Sequence, residues 1–449
     1  MKQKPKLTRK ILRVLAILAF VCVLFFTSLL LPATQTYLGQ RLATNLDNRF
    51  GTTLTVDHIR ISPFGDVTLK NIVAIDHKKA TMIRVGFARM NAVRLWAVLQ
   101  GDNNLGSVFL QDVGCNIITY MGDENSNIDL FFDRFNSKKP KNNNAAFYVS
   151  AIDLMSADLI IHNENEQESI PIRFTSMHAD IENFSVVDTI VKAKINQLDT
   201  KTNWKNTQIT SLAGTYVYSS TEMKLVNATL QTNASFIESN IVLQYPKKGL
   251  KNFADAVQLD VKINKAVLGN LDLKKAIPNW SLGNIDFSGV VGGTVQDLSI
   301  TKGKITNDKA LLNFSLETKQ LLDSNKRHIS SNWTLDSEKL DLVFNSLLSK
   351  EQIDFIAGLG AVSTSGNMTY SNHVFNLKNS LDSELGALQI DATYDIALNI
   401  PAYTIKLNTE LFNVGELLEV PTLKTTGFDI LLSGNGLYAN KLNVNASGS

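Results

Sequence analysis

Cysteine is nearly absent from this 449-residue chain, which carries only Cys22 and Cys115. Two such cysteines cannot build a disulfide framework, and each reads as a small apolar residue. Charge is scarce and balanced, at 19% of residues with a net charge of +2, which argues against nucleic-acid binding by bulk charge. The histidines, His58, His77, His162, His178, His328 and His373, are scattered, with no second histidine at metal-ligand spacing. There is no P-loop, no G-x-G-x-x-G after a strand, no H-E-x-x-H and no C-x-x-C. The stretch GDENSNIDLF sets Asp123, Glu124 and Asp129 loosely like a calcium loop, but lacks the glycine at the sixth position and the glutamate at the twelfth. Ser288, Ser365 and Ser433 precede glycine within strand patterns, without a nucleophile elbow. These absences point away from an enzyme and imply no cofactor and no metal.

What is present begins with an uncharged apolar run, VLAILAFVCVLFFTSLLL, over Val14 to Leu31. It is long enough to span a bilayer as a helix. The PATQTY that follows is a poor match to a signal-peptide cleavage site, so residues 14–31 read as an uncleaved anchor. Residues 1–13 are basic through Lys2, Lys4, Lys6, Arg9, Lys10 and Arg13, and the first acid is Asp47. The positive-inside rule then leaves residues 1–13 in the cytoplasm and sends the remainder outward. Across residues 34–50, Leu38, Leu42, Leu46 and Phe50 recur every fourth position and line one side of a helix, which Gly51 would stop. That helix either lies on the outer surface of the membrane or covers one end of a β-core.

From residue 52 onward a period of two dominates, and helical patterns are sparse. LTVDHIRIS and VTLKNIVAI read as two strands joined by SPFGD, with a change of phase between Val56 and Ile59 that suggests a bulge or break. In VQLDVKI, Val257, Leu259, Val261 and Ile263 share one face, opposite Gln258, Asp260 and Lys262. In LQIDATYDIALNI, Leu388, Ile390, Ala392, Tyr394, Ile396, Leu398 and Ile400 share a face over an unusually long strand. Short helices are expected at residues 91–100, within DLVFNSLLSKEQIDFIAG and at VGELLEV. A polar loop, NSKKPKNNNAA, over residues 136–146 separates a first β region (52–135) from a second (147–449).

The second region repeats. VQLDVKINKAVLGNL, WTLDSEKLDLVFNSLL and IKLNTELFNVGELL each open a unit of strand, short helical link and strand closing on Ser-Gly. The pairs Ser288-Gly289, Ser365-Gly366 and Ser433-Gly434 lie 68 to 77 residues apart. Units that share apolar faces would stack into an elongated array. The third copy stops at Ser449, so the sequence reads as the N-terminal part of a longer protein.

The order of parts resembles the AsmA/TamB family of bacterial envelope proteins. The resemblance rests on the anchor ending in LLLP, on TQTYLGQRLATNLDNRFGTTLTVDHIRISPFGDVTLKNIVAIDH, on LWAVLQGDNNLGSVFLQDVGCNIITY and on DENSNIDLFFDRF. The last is similar to the family's N-x-D-x-[LF] strand. The match is best over roughly the first 135 residues and looser beyond. It implies a mainly β fold: a transmembrane helix and an amphipathic helix, then a repetitive antiparallel sheet curled into an open apolar groove. It further implies a place in the inner membrane, with the bulk of the chain in the periplasm, and the carriage of phospholipid to the outer membrane. The residues then facing acyl chains would be Val257, Leu259, Val261, Ile263, Leu388, Ile390, Tyr394, Ile396, Leu398 and Ile400. Leu38, Leu42, Leu46 and Phe50 would form the membrane-surface helix. The resemblance also implies an alternative role in assembling outer-membrane β-barrel proteins, with a barrel partner met through a C-terminal domain not present here. The apolar faces by themselves leave a closed barrel or a sandwich open as well.

Overall fold

The computed structural model describes Tyr37, residues 53–62, 66–91, 94, 97, 102, 104–131, 146–165, 170–187, 190–247, 252–277, 280–339, 350–397, 400–420, 422–436 and 443–448. The expected anchor, the amphipathic helix apart from the helical Tyr37, and residues 136–145 of the polar loop lie outside the described residues. No described helix is long and apolar enough to cross a membrane. Of the expected helix at residues 91–100, Asn91, Arg94 and Ala97 are described: Asn91 still belongs to the strand Thr81–Asn91, and Arg94 and Ala97 are helical.

The fold is mainly β, with 67% of the described residues in strands and 10% in helices. Packing divides the chain into two units, with the boundary between Val217 and Tyr218. The first unit contains β1 (Thr53–Ile61), β2 (Asp66–Ile75), β3 (Thr81–Asn91), β4 (Ser107–Thr119), β5 (Ala146–Asn163), β6 (Ile172–Val187) and β7 (Ile190–Thr202). The boundary itself lies inside β8 (Thr207–Tyr218).

In the first unit, β1 and β2 pair antiparallel, as the two flanks of SPFGD predict. The change of phase occurs beside Asn71, whose φ of 51° puts it in the left-handed region that Asn tolerates. On either side of it, Val56, Ile59, Val67, Leu69 and Ile72 reach the same core, which also takes in Val85, Ala88, Met90, Val108 and Val149. One pairing departs from the expected antiparallel sheet: β4 and β5 run parallel, from Ser107 beside Ala151 to Thr119 beside Asn163. A parallel pair needs a long crossover to return the chain to its starting end, and residues 120–145 supply it.

The second unit is an antiparallel meander. Its strands are β9 (Glu222–Thr232), β10 (Phe236–Gln244), β11 (Gln258–Leu268), β12 (Ile285–Gly293), β13 (Leu298–Thr306) and β14 (Ala310–Lys319). They continue as β15 (His328–Ser337), β16 (Val362–Ser371), β17 (Val374–Ser383), β18 (Gly386–Asp395), β19 (Ala402–Asn413), β20 (Thr425–Asn435) and β21 (Asn443–Gly448). Each pairs with the next.

The expected repeat has a structural counterpart. Helix α1 (Phe253–Ala256) precedes β11, and three further short helices, α2 (Asn270–Ala276), α3 (Lys350–Ala357) and α4 (Val414–Leu417), link β11 to β12, β15 to β16 and β19 to β20. Each of these three links leads into the strand that carries a Ser-Gly pair. Successive links are four antiparallel strands apart, so all three stand at the same end of the sheet.

Two expectations are corrected. Within the second unit the sheet is open and uncurled. Curvature is built with bulges; the pairings from β9 to β14 and from β18 to β20 carry register shifts, but the four successive pairings from β14 to β18 run without one. The long strand through Ile400 is also shorter than expected, because β18 ends at Asp395. There the Asp395 carboxylate accepts the Ala397 N–H at 2.9 Å, a local turn that competes with the ladder. The N–H of Ile396 is meanwhile taken by the His373 carbonyl at 2.9 Å.

Candidate functional site

Directly opposed residues of antiparallel strands lie on the same face of a sheet. Following the register across the second unit therefore shows which residues share a face. One row runs Leu225, Ile241, Val261, Val291, Ile300, Leu316, Ser331, Met368, Leu377, Ala392, Ile405 and Leu432, with a single polar residue. The row on the other face runs Asp260, Gly292, Ser299, Glu317, Ser330, Thr369, Asn376, Thr393, Thr404 and Ser433. It is polar throughout apart from one glycine, and Thr393 donates to Asn376 Oδ1 across it at 2.9 Å. Exposed ion pairs, Lys378–Asp391 at 3.9 Å and Lys406–Asp429 at 3.5 Å, belong to this wet face.

The apolar face deepens into a cavity of about 750 Å³, within the range typical of ligand pockets. Its floor comes from β15 to β20, through Trp333, Leu377, Leu381, Leu388, Ile390, Leu407 and Ile430 among others. Its wall at one end comes from the helical links, through Phe355 of α3, Leu359, Val414 and Leu417 of α4, and Leu418. Beneath that wall Leu335, Leu359, Val362, Leu381, Leu385 and Phe412 form a buried cluster. The concavity thus owes its depth to helices folded over an open sheet. Asn413 Oδ1 caps α4 by accepting from the Glu416 N–H, and Glu416 Oε2 accepts from Asn413 Nδ2 at 2.7 Å. This reciprocal pairing fixes where the chain leaves β19 to form the wall.

The expected lining residues fare differently from one another. Leu388 and Ile390 line the cavity. Leu259, Val261 and Ile263 are half-buried, and Val261 is joined to the cavity face by the register row. Tyr394 is half-buried on the same face, one alternation beyond Ala392. Val257 precedes β11 and is 0% exposed, so it is packed inside the protein and lines nothing. Ile396 and Ile400 lie beyond the end of β18 and are 43% and 50% exposed. Leu398, Leu38, Leu42, Leu46 and Phe50 lie outside the described residues. Gln389 and Asp391 are exposed on the opposite face.

Sequence reasoning missed Trp333, Leu377, Leu381, Leu407, Phe412 and the α3 and α4 residues. The alternation Phe375, Leu377, Asn379, Leu381 in β17 carried the signal for the strands. Nothing local says that a short helical link folds over one face.

A second cluster, in the first unit, gathers the DENSNIDLF motif. Asn127 is 2% exposed, and its amide donates to Asp76 Oδ2 at 3.1 Å and to the Asn116 carbonyl at 2.9 Å. Its Oδ1 accepts from the Ile118 N–H. Tyr120 Oη donates to the same Asp76 oxygen at 2.6 Å, while the N–H groups of Lys78 and Ala80 donate to Asp76 Oδ1. Burial pushes the Asp76 carboxyl up, but these hydrogen bonds outweigh it and hold the group below its ordinary value. Burial first, and then the Asp76 carboxylate, push the Tyr120 hydroxyl above its usual range. His77 pairs with Asp123 at 3.0 Å and packs edge-on against Tyr120. The arrangement ties the β2–β3 turn to the crossover after β4. Among the described residues no group of three or more His, Cys, Asp or Glu side chains is placed to hold a metal ion.

No protein-family model, no curated protein and no solved structure matches the chain.

Proposed function

We propose that the protein is a lipid-binding conduit, in which the apolar face of the second unit carries the acyl chains of phospholipid while the polar face stays wet. The observation that supports this best is the register row from β9 to β20, apolar but for Ser331, opening into the helix-walled cavity. An open sheet face of this kind leaves a contiguous apolar surface in water, which soluble domains rarely tolerate without an occupant. An acyl chain gains about 0.8 kcal/mol for each methylene it buries there. The reading is of a carrier and not a catalyst. The basic N-terminus and the apolar run suggest an inner-membrane anchor with the sheet in the periplasm. The family resemblance suggests the outer membrane as the destination and a barrel protein there as partner.

The test is a photo-crosslinker placed at Ile390 or at Asp391, adjacent residues on opposite faces, followed by mass spectrometry of lipid adducts from cells. The reading expects adducts at Ile390 and few at Asp391. Equal capture at both positions defeats it.

A further inference from the structure

The cavity floor has a polar notch on β17 that an apolar conduit does not need. On β17, alternation puts Phe375, Leu377, Asn379 and Leu381 on the cavity face. Asn379 is thus an amide between two leucines. Its cross-strand neighbours are Gly366 on β16 and Ile390 on β18, neither of which offers a side-chain hydrogen bond. Thr364, 8% exposed, is the nearest polar partner. Its hydroxyl lies 2.7 Å from Asn379 Oδ1 and 3.0 Å from the Ser380 carbonyl, and its one hydrogen is shared between the two acceptors, the amide oxygen being the nearer. The Asn379 carbonyl is thereby engaged, and among the described residues its NH₂ group makes no hydrogen bond. Trp333 flanks the same spot. A Cβ added at Gly366 would lie 2.7 Å from the indole Cζ2 and 2.8 Å from Asn379 Oδ1. With the Lys378 carbonyl 2.5 Å from the same point, the indole, the amide and the backbone close over Gly366 and leave no room for a side chain there, while Trp333 and Asn379 both still line the cavity.

An amide in an apolar floor is costly once its water is removed, and a hydrocarbon occupant would strip that water without replacing it. An occupant that brings an oxygen acceptor to this level would restore the bond. We infer that Asn379, held by Thr364, is a specificity-determining residue that hydrogen-bonds the ester carbonyl of an ester-linked acyl chain lying in the cavity against it. The inference rests on the conduit reading and adds to it. The face sorts its occupants by whether a carbonyl accompanies the chain, because a site built to hydrogen-bond a ligand oxygen discriminates against an analogue that lacks it.

The test uses the full chain in a bile-salt detergent, which has no acyl chain of its own. Radiolabelled methyl laurate and tetradecane, similar in length and differing in the ester, are measured by equilibrium dialysis against protein-free micelles. Wild-type protein is expected to prefer methyl laurate by roughly fivefold to tenfold beyond the micelle ratio, as one net hydrogen bond implies. Asn379→Leu is expected to bring that ratio to about one while tetradecane binding stays equal or tightens. Thr364→Val, which frees the amide carbonyl without removing the donor, is expected to lower the ratio partway. Circular dichroism of each variant confirms the β fold, and Thr364→Val decides the matter if Asn379→Leu does not fold. An unchanged ratio in the folded variants, or no preference in wild type, overturns the inference and leaves the conduit standing. Failure of both ligands to bind wild-type protein overturns the conduit and this inference together.

Discussion

Val261→Asp places a carboxylate in the middle of the apolar row, between Ile241 on β10 and Val291 on β12. Val261 is half-buried, so losing it forfeits about 1 kcal/mol of apolar burial. Setting an ionised carboxylate against apolar neighbours costs about 1–3 kcal/mol more where water can still reach it. The sum, about 2–4 kcal/mol, lies below the usual stability of about 5–15 kcal/mol for a domain. The variant should therefore accumulate as folded protein with a lowered melting temperature. Its effect on function should be larger, because an acyl chain passing that point would have to desolvate a full charge. Immunoblotting of the full chain, thermal unfolding and quantification of co-purifying phospholipid read the three quantities. Lys262→Asp is the control, since Lys262 is exposed on the polar face, and it should shift stability by no more than about 0.5 kcal/mol. If Val261→Asp abolishes accumulation, the face is a closed core. If the variant folds and retains as much phospholipid as wild type, the row is not the lipid path.

Phe412, 2% exposed at the base of the helix-built wall, should cost about 3–5 kcal/mol on truncation to alanine, read as a lowered denaturant midpoint, and a loss under about 1 kcal/mol would mean that the wall is not packed as described. The Asp76 carboxyl lies below its ordinary value in the folded protein, so its contribution is fully present above the unfolded value near about 4 and is lost as pH falls through the folded one. Asp76→Asn should accordingly weaken the first unit by about 2 kcal/mol at pH 7 and flatten the decline in its unfolding midpoint between about pH 5 and pH 3; a variant whose pH profile parallels wild type refutes the stabilising role of the Asp76 hydrogen bonds. If residues 14–31 are an uncleaved anchor, N-terminal sequencing should begin at Met1 or Lys2, and a start near Ala33 or Thr34 would show a cleaved signal instead.

Side-chain alternation is a local property, so the sequence alone was enough to determine that the chain is mainly β and which residues of a strand share a face. Leu259, Val261, Leu388 and Ile390 were legible because a period of two needs only neighbouring residues. The repeat was legible too, as each copy spells the same strand, helical link and Ser-Gly strand. Where β18 stops was harder to read: Asp395 looks like one more outward-facing polar residue until its carboxylate is seen to accept the Ala397 N–H.

Only the tertiary structure decided which local faces belong together. That the face of Val261 on β11 is also the face of Ile390 on β18 depends on every intervening register, including the shifts within β12 and β13, and a slip of one residue would have turned it over. The parallel pairing of β4 with β5 depends on where residues 120–145 return the chain. The depth of the cavity depends on α3 and α4 folding over the apolar face, and the isolation of the Asn379 amide depends on a glycine and an isoleucine reaching it from β16 and β18. These are contacts between residues distant in sequence, whose energy comes from burial and hydrogen bonding across strands and leaves no local periodicity to read.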